Sequence, residues 1–131
     1  QYIENNGLQD FIEIKGRMTN TELLQTYKDY SFLVSTSFSE TFGLAVAEAI
    51  LNGLPVVCTD SGGIRDFVDE SNGIIVPVRD PQAISDAIKT IIQNLDAYDS
   101  VIISRKIKNK FGKDEFRKRM ISEFNGVLKA G

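Results

Sequence analysis

Residues 37–48 read Ser-Phe-Ser-Glu-Thr-Phe-Gly-Leu-Ala-Val-Ala-Glu, with two carboxylates, Glu40 and Glu48, on either side of a glycine. Gly43 lets a ligand approach the backbone closely. At the start of a helix the N–H groups of residues 42–44 have no intrahelical acceptor, so they can hold a phosphate or a sugar oxygen. Glu40, in the turn before that helix, can point at the same ligand, and Glu48 stands one helical turn after Leu44, on the side below it. This is chemistry of hydroxyl and anion recognition. The 131 residues contain no His and one Cys. That excludes His-ligated metals, His general bases and Ser-His-Asp or Cys-His catalysis within this chain. Any reaction must run on carboxylates, backbone N–H groups and the bound substrate.

Glu48 is the more telling of the two carboxylates. It is the only charge in the segment Gly-Leu-Ala-Val-Ala-Glu-Ala-Ile-Leu-Asn-Gly, and a helix apolar all round is a buried one. A buried carboxylate without partners costs several kcal/mol. Glu48 is therefore expected to be more than half buried and to meet a donor, such as a ribose diol or a Lys or Arg from elsewhere. The competing reading is that it reaches an edge and is solvated.

The elements that position these residues alternate in period. Phe11, Ile12 and Ile14 predict a strand over 11–15, ending at Gly16. Thr19 and Glu22 stand in capping-box spacing and open a helix that carries Leu23, Leu24 and Tyr27. Strands are predicted over 31–36, 55–59 and 73–78, with helices over 43–52, around Ile64 to Val68, and from Pro81 through Ile92. Residues 98–109 and 114–128 are also predicted helical, the latter with Phe116, Met120 and Phe124 at spacing four. Such alternation means an α/β fold, a Rossmann-like parallel sheet with helices on both faces. Ligands then sit beyond the C-terminal strand ends, just after residues 16, 37, 59 and 78. Right-handed crossovers place the last three strands side by side in sequence order.

Composition bounds the rest. Hydrophobic residues make up 42% and charged residues 25%, enough for a packed core and against disorder. The opening Gln-Tyr-Ile-Glu-Asn-Asn-Gly lacks a Met and a signal-peptide pattern, and reads as the middle of a longer sequence. Cys58, alone inside an apolar run, is expected to be an inert core thiol in a reducing, cytoplasmic setting. Residues 1–104 hold six Lys/Arg against fifteen Asp/Glu, net −9, whereas 105–131 hold nine against three, net +6. That basic run reads first as a solvated helix face. An anionic membrane surface, at the inner face of the membrane, or a phosphorylated acceptor is the alternative. No aromatics interleave with the charges as nucleic-acid stacking requires.

The segments E-T-F-G-L-A-V-A-E-A, N-G-L-P-V-V-C-T-D-S-G-G-I and N-G-I-I-V-P-V-R-D follow one another over residues 40–80. Together they resemble the C-terminal, nucleotide-sugar-binding half of the retaining GT-B glycosyltransferases of the glycogen-synthase-like family four. The resemblance is strongest over residues 11–95, with 96–131 as C-terminal helices, so the whole of 1–131 reads as a partial nucleotide-sugar-binding domain. It implies that Glu40 bonds the hydroxyls of the donor sugar and is the catalytic carboxylate. It implies that the backbone at Phe42, Gly43 and Leu44 holds sugar and diphosphate, and that Glu48 receives the ribose hydroxyls. Base contacts are expected from the loop 16–20, with Arg17 and Met18 foremost, although a solvated loop charge is an equal reading of Arg17. The donor is a nucleoside-diphosphate sugar, with no metal and no other cofactor expected.

Gly62 and Gly63 serve either a close approach of the backbone to donor or acceptor or a tight turn with positive φ. Asp60 is expected to cap the helix that follows. The family's Arg and Lys, which neutralise the leaving diphosphate, match no residue here. They and the N-terminal acceptor domain are expected upstream, as are two strands between the 11–15 and 31–36 strands. The chain alone is therefore expected to be inactive. A non-catalytic nucleotide-sugar-binding module is the alternative function. A dinucleotide enzyme is disfavoured because no G-x-G-x-x-G follows any strand.

Overall fold

A computed structural model describes residues 1–112. Eight elements follow one another: α1 (Tyr2–Asn5), α2 (Asn20–Thr26), β1 (Leu33–Ser35), α3 (Leu44–Leu51), β2 (Val56–Thr59), β3 (Gly73–Val76), α4 (Pro81–Gln93) and α5 (Ser100–Phe111). Short 3₁₀ turns lie at Tyr27–Asp29, Gly62–Asp66 and Leu95–Ala97. The three strands are parallel in the order β1-β2-β3, with Leu33 opposite Val56 and Val57 opposite Ile74. This is the expected α/β architecture and the expected sequential order. The helix predicted over 114–128 lies outside the described residues.

Strand period explains why helices cover both faces. Successive side chains of β2 point to opposite sides, and all four of its residues are buried. Val56 and Cys58 join Val46, Ala49 and Ile50 of α3 and Ile103 and Ile107 of α5. Val57 joins Val76 and, from α4, Ala87 and Ile91 on the other face. Burying each of Ile50, Ile91 and Ile103, which are 0–1% exposed, contributes roughly 1.5–3 kcal/mol. Helix starts follow local chemistry. Thr19 and Glu22 form the predicted capping box, Asp80 and Asp99 accept first-turn N–H groups of α4 and α5, and Pro81 takes the first helical position of α4.

The 11–15 strand does not form. The N–H groups of Phe11 and Ile12 both donate to the Leu8 carbonyl, at 3.0 and 2.9 Å, which folds the chain into a turn where a strand would be extended. A strand needs a neighbour for its backbone groups, and among the described residues β1 pairs only with β2. Phe11 and Ile14 are left 84% and 80% exposed. Nor is α3 wholly buried, despite its apolar sequence. Sheet and α5 cover Val46, Ala47, Ala49 and Ile50, whereas Leu44, Ala45 and Leu51 face outward.

Among the described residues no helix is long and apolar enough to cross a membrane.

Candidate functional site

The site is built where the chain leaves the C-terminal ends of β1 and β2. From β1 it runs through Ser37 and Glu40 to Gly43, the residue that opens α3. Gly43 stands at φ 83°, and no side chain caps the helix. The N–H groups of Phe42, Gly43 and Leu44 have no protein acceptor among the described residues. They stay available because the N-cap is a glycine. Any larger residue there would be strained, and its Cβ would lie 2.5 Å from Ile64 Cδ1.

Glu40 is half-buried, and its Oε1 accepts the Ser37 hydroxyl at 2.8 Å. The Ser37 carbonyl in turn accepts the Thr59 hydroxyl, at 2.5 Å, from the end of β2. From the other side the glycine pair closes on the same loop. Gly62 has φ 61°, and a Cβ there would stand 1.6 Å from the Glu40 carbonyl oxygen. At Gly63 a Cβ would meet the Thr41 carbonyl at 3.3 Å. The tight-turn reading of the pair holds at Gly62, whose positive-φ backbone lies directly against the Glu40 loop. The Phe42 ring is 45% exposed and packs on buried Phe67 with centroids 5.3 Å apart. It anchors the loop while its N–H stays free.

Glu48 is half-buried, as expected. Its partner is neither a Lys nor an Arg. The hydroxyl of Tyr27, from the turn after α2, lies 3.4 Å from Glu48 Oε2 and 3.5 Å from the Ala45 carbonyl. Both contacts are long, so the carboxylate retains capacity to accept stronger donors. Burial first, and then the Glu48 charge, push the Tyr27 phenol above its ordinary pKa. Sequence reasoning placed Tyr27 on an apolar helix face with Leu23. The signal missed was its hydroxyl, which needs a partner once the ring is buried.

Other expectations resolve differently. Asp60 caps nothing. It makes a two-pronged ion pair with Arg65, at 2.8 and 2.6 Å, because the 3₁₀ turn brings position 65 back over the strand end. The Arg65 hydrogen bonds hold its carboxyl below the usual range. Arg17 is exposed and Met18 half-buried in the irregular segment before α2. No hydrogen bond or ion pair joins either to Glu40 or Glu48 among the described residues. Leu44 is 67% exposed beside the free N–H groups. Cys58 is buried as expected, its thiol pushed up to about 11 by desolvation and then by the Asp60 charge. Among the described residues no cluster of three His, Cys, Asp or Glu could hold a metal.

Comparison with known proteins places the chain in a family and agrees with its fold. Residues 1–110 match the family Glycosyl transferases group 1. The chain is 36% identical over 101 residues to a D-inositol 3-phosphate glycosyltransferase of Paenarthrobacter aurescens, covering 76% of this chain and 23% of that protein. It is 34% identical over 97 residues to the GtfA subunit of a UDP-N-acetylglucosamine–peptide N-acetylglucosaminyltransferase of Streptococcus gordonii, covering 72% and 19%. The chain thus spans about a fifth to a quarter of these relatives' length. Among solved structures, sucrose-phosphate synthase from Thermosynechococcus elongatus superposes with a TM-score of 0.81 at 22% identity, over 99% of this chain and 33% of that one. The pneumococcal O-GlcNAc transferase GtfA, in complex with UDP and GlcNAc, gives 0.74 at 28% identity, over 92% and 25%. These neighbours are GT-B glycosyltransferases. With a match over residues 1–110, a GT-B-like parallel sheet and a glycine-opened helix flanked by two carboxylates, this chain belongs to the group 1 glycosyl transferases.

Proposed function

We propose that this chain is the donor-binding part, from the C-terminal half, of a family four glycosyltransferase. It moves a hexose from a nucleoside-diphosphate sugar to an acceptor with retention of configuration. One observation carries the reading: Glu40 and Glu48 flank unpartnered N–H groups at the start of α3, and Gly62 locks the Glu40 loop in place. In this reading Glu40 holds hydroxyls of the transferred sugar and is the catalytic carboxylate. The backbone of Phe42, Gly43 and Leu44 takes sugar and diphosphate oxygens, with Gly62 and Gly63 at the rim. Glu48 receives the ribose diol, and the Tyr27 hydroxyl turns its carboxylate toward that role. Arg17 and Met18 contact the base. The pneumococcal O-GlcNAc transferase GtfA, solved with UDP and GlcNAc, supports this donor class.

The leaving diphosphate develops negative charge, which fixed N–H donors and cations stabilise without proton transfer. The reading therefore invokes neither a metal nor a resident cofactor. The cations and the acceptor site belong to the rest of the protein, in its N-terminal domain and the start of its C-terminal half. A buried, unpaired thiol at Cys58 supports a cytoplasmic setting.

Two substitutions in the whole protein test the roles. Glu48→Ala should weaken nucleoside-diphosphate affinity about tenfold or more, the loss of one charge-assisted pair of hydrogen bonds. Glu40→Ala should spare the free nucleotide and lower turnover of the nucleotide sugar. Equal losses of nucleotide affinity from both changes would contradict the separate roles. NMR of the newly formed glycoside reports the anomeric outcome, and an inverted product would refute retention.

A further inference from the structure

Among the described residues Arg79 is the one non-glycine residue at positive φ, 60°. L side chains stay there only where their surroundings hold them. Both flanks of Arg79 are fixed. β3 ends at Val76, and Asp80, directly after Arg79, caps α4 by accepting the Ala83 N–H at 2.9 Å. The held backbone carries the guanidinium to 5.6 Å from the centroid of the Phe38 ring, within the range in which an aromatic face attracts a cation.

Phe38 belongs to the other outer strand's loop, two residues before Glu40. Between the two loops stands the end of β2. Its Thr59 hydroxyl bonds the Ser37 carbonyl, and the Asp60 N–H bonds the Val76 carbonyl at 2.8 Å. The loops after β1 and β3 thus meet over the central strand, and the Arg79–Phe38 stack is a side-chain contact that joins them directly. Arg79 makes no ion pair among the described residues, so no carboxylate competes with the ring for its charge.

We propose that Arg79 is a positioning residue for Glu40: stacked on Phe38, it latches the loop after β1 to the loop after β3 and so fixes where the Glu40 carboxylate stands. The consequence for catalysis rests on the donor-site reading above, whereas the latch itself does not. At an exposed site a cation–π contact shifts an equilibrium by about two- to fivefold. That sets the expected size of every effect.

Arg79→Gly separates latch from scaffold, because glycine accepts φ 60° without strain while deleting the guanidinium. Cleavage after Glu40 by a glutamate-specific protease, measured on the whole protein under native conditions, reads the open population of the loop and should quicken about two- to fivefold, with Tm not lowered. Arg79→Lys keeps a cation and should restore slow cleavage, and Phe38→Leu should reproduce the Arg79→Gly pattern. Unchanged cleavage in Arg79→Gly, or equal quickening in Arg79→Gly and Arg79→Lys, overturns the latch.

Kinetics on the same variants test its purpose. Arg79→Gly should lower kcat for the nucleotide sugar by a similar factor, leaving affinity for the free nucleoside diphosphate as in wild type. Faster loop cleavage with unchanged kcat overturns the positioning role. Glu40→Gln serves as the control. If transfer survives it, the donor-site reading fails, and the cleavage data on the Arg79 variants still decide the latch.

Discussion

Gly62→Ala is the sharpest single test of how the Glu40 loop is held. A Cβ at position 62 would sit 1.6 Å from the Glu40 carbonyl oxygen, where 3.4 Å begins ordinary contact, so the loop or the turn must retreat by ~1.8 Å. The intruded atom is backbone, which has no alternative rotamer. To this the left-handed conformation at φ 61° adds roughly 1–2 kcal/mol for a residue with a Cβ. Overpacking a tight contact typically costs about 1–3 kcal/mol more, so the sum is about 2–5 kcal/mol. The neighbouring residue is an internal control. Gly63→Ala has no positive φ to strain, and its Cβ would lie 3.3 Å from the Thr41 carbonyl. A shift of a few tenths of an ångström relieves that, and the smaller entropy of the unfolded chain offsets about 0.4–1 kcal/mol. Gly63→Ala should therefore fall within about 1 kcal/mol of wild type. Equilibrium urea unfolding measures both, with m-values checking that the transition stays two-state. Similar stabilities for the two variants would refute the claim that Gly62 is pressed on the Glu40 backbone.

Further expectations follow from charge and burial. Burial alone would raise the pKa of Asp69, but hydrogen bonds from Lys106 and Ser71 outweigh it and hold the carboxyl at about 2. Its folded pKa lies below the unfolded value of about 3.9, so the stability it adds is present above that pH and lost as pH falls toward 2. Lys106→Met should remove about 0.5–1 kcal/mol of it at pH 7, a value discounted because both side chains are half exposed, and should flatten the acid limb of a stability–pH curve. The Cys58 thiol, held up to about 11 and buried, should resist alkylation at pH 8 until the protein unfolds. Rapid labelling of the native state would show that β2 opens locally. Residues 1–131 alone should release no nucleoside diphosphate from candidate nucleotide sugars, and sustained release above a no-protein control would contradict the assignment of diphosphate-binding cations and acceptor site to the rest of the protein.

The sheet was legible because its signals are local and redundant. Val56, Val57 and Cys58 form an apolar run bounded by Pro55 and Asp60, and capping residues mark the starts of α2, α4 and α5. The strand expected over 11–15 shows the limit of such reading. Phe11, Ile12 and Ile14 have strand composition, yet a strand exists only beside another, and none stands there among the described residues. Asp60 shows a second limit. Its place at a strand end suits a cap, but the 3₁₀ turn returns Arg65 to it, and no periodicity foretells that. That Glu40, Gly43 and Glu48 stand together was legible because they lie within nine residues of one turn and helix. Tyr27, Thr59 and Arg79 reach this segment from other elements, and only tertiary packing decides that they meet, whereas Gly62 stood out in the sequence beside Gly63.

The same glycine that leaves α3 uncapped also explains why an open helix start and stability do not conflict here. Ser, Thr, Asp or Asn at an N-cap ordinarily adds stability over Gly by only a few tenths of a kcal/mol. At position 43 even that gain is closed off, because φ 83° disfavours a side chain and Ile64 occupies the space its Cβ would need. Helix stability comes instead from Val46, Ala49 and Ile50, buried on the far side from the loop. The N–H groups of residues 42–44 can therefore stay open to a ligand at almost no cost in folding. Glu48, one turn on, does cost something as a half-buried carboxylate, and the long contact from Tyr27 offsets only part of it. Among the described residues no stronger hydrogen-bond donor than Tyr27 reaches that carboxylate.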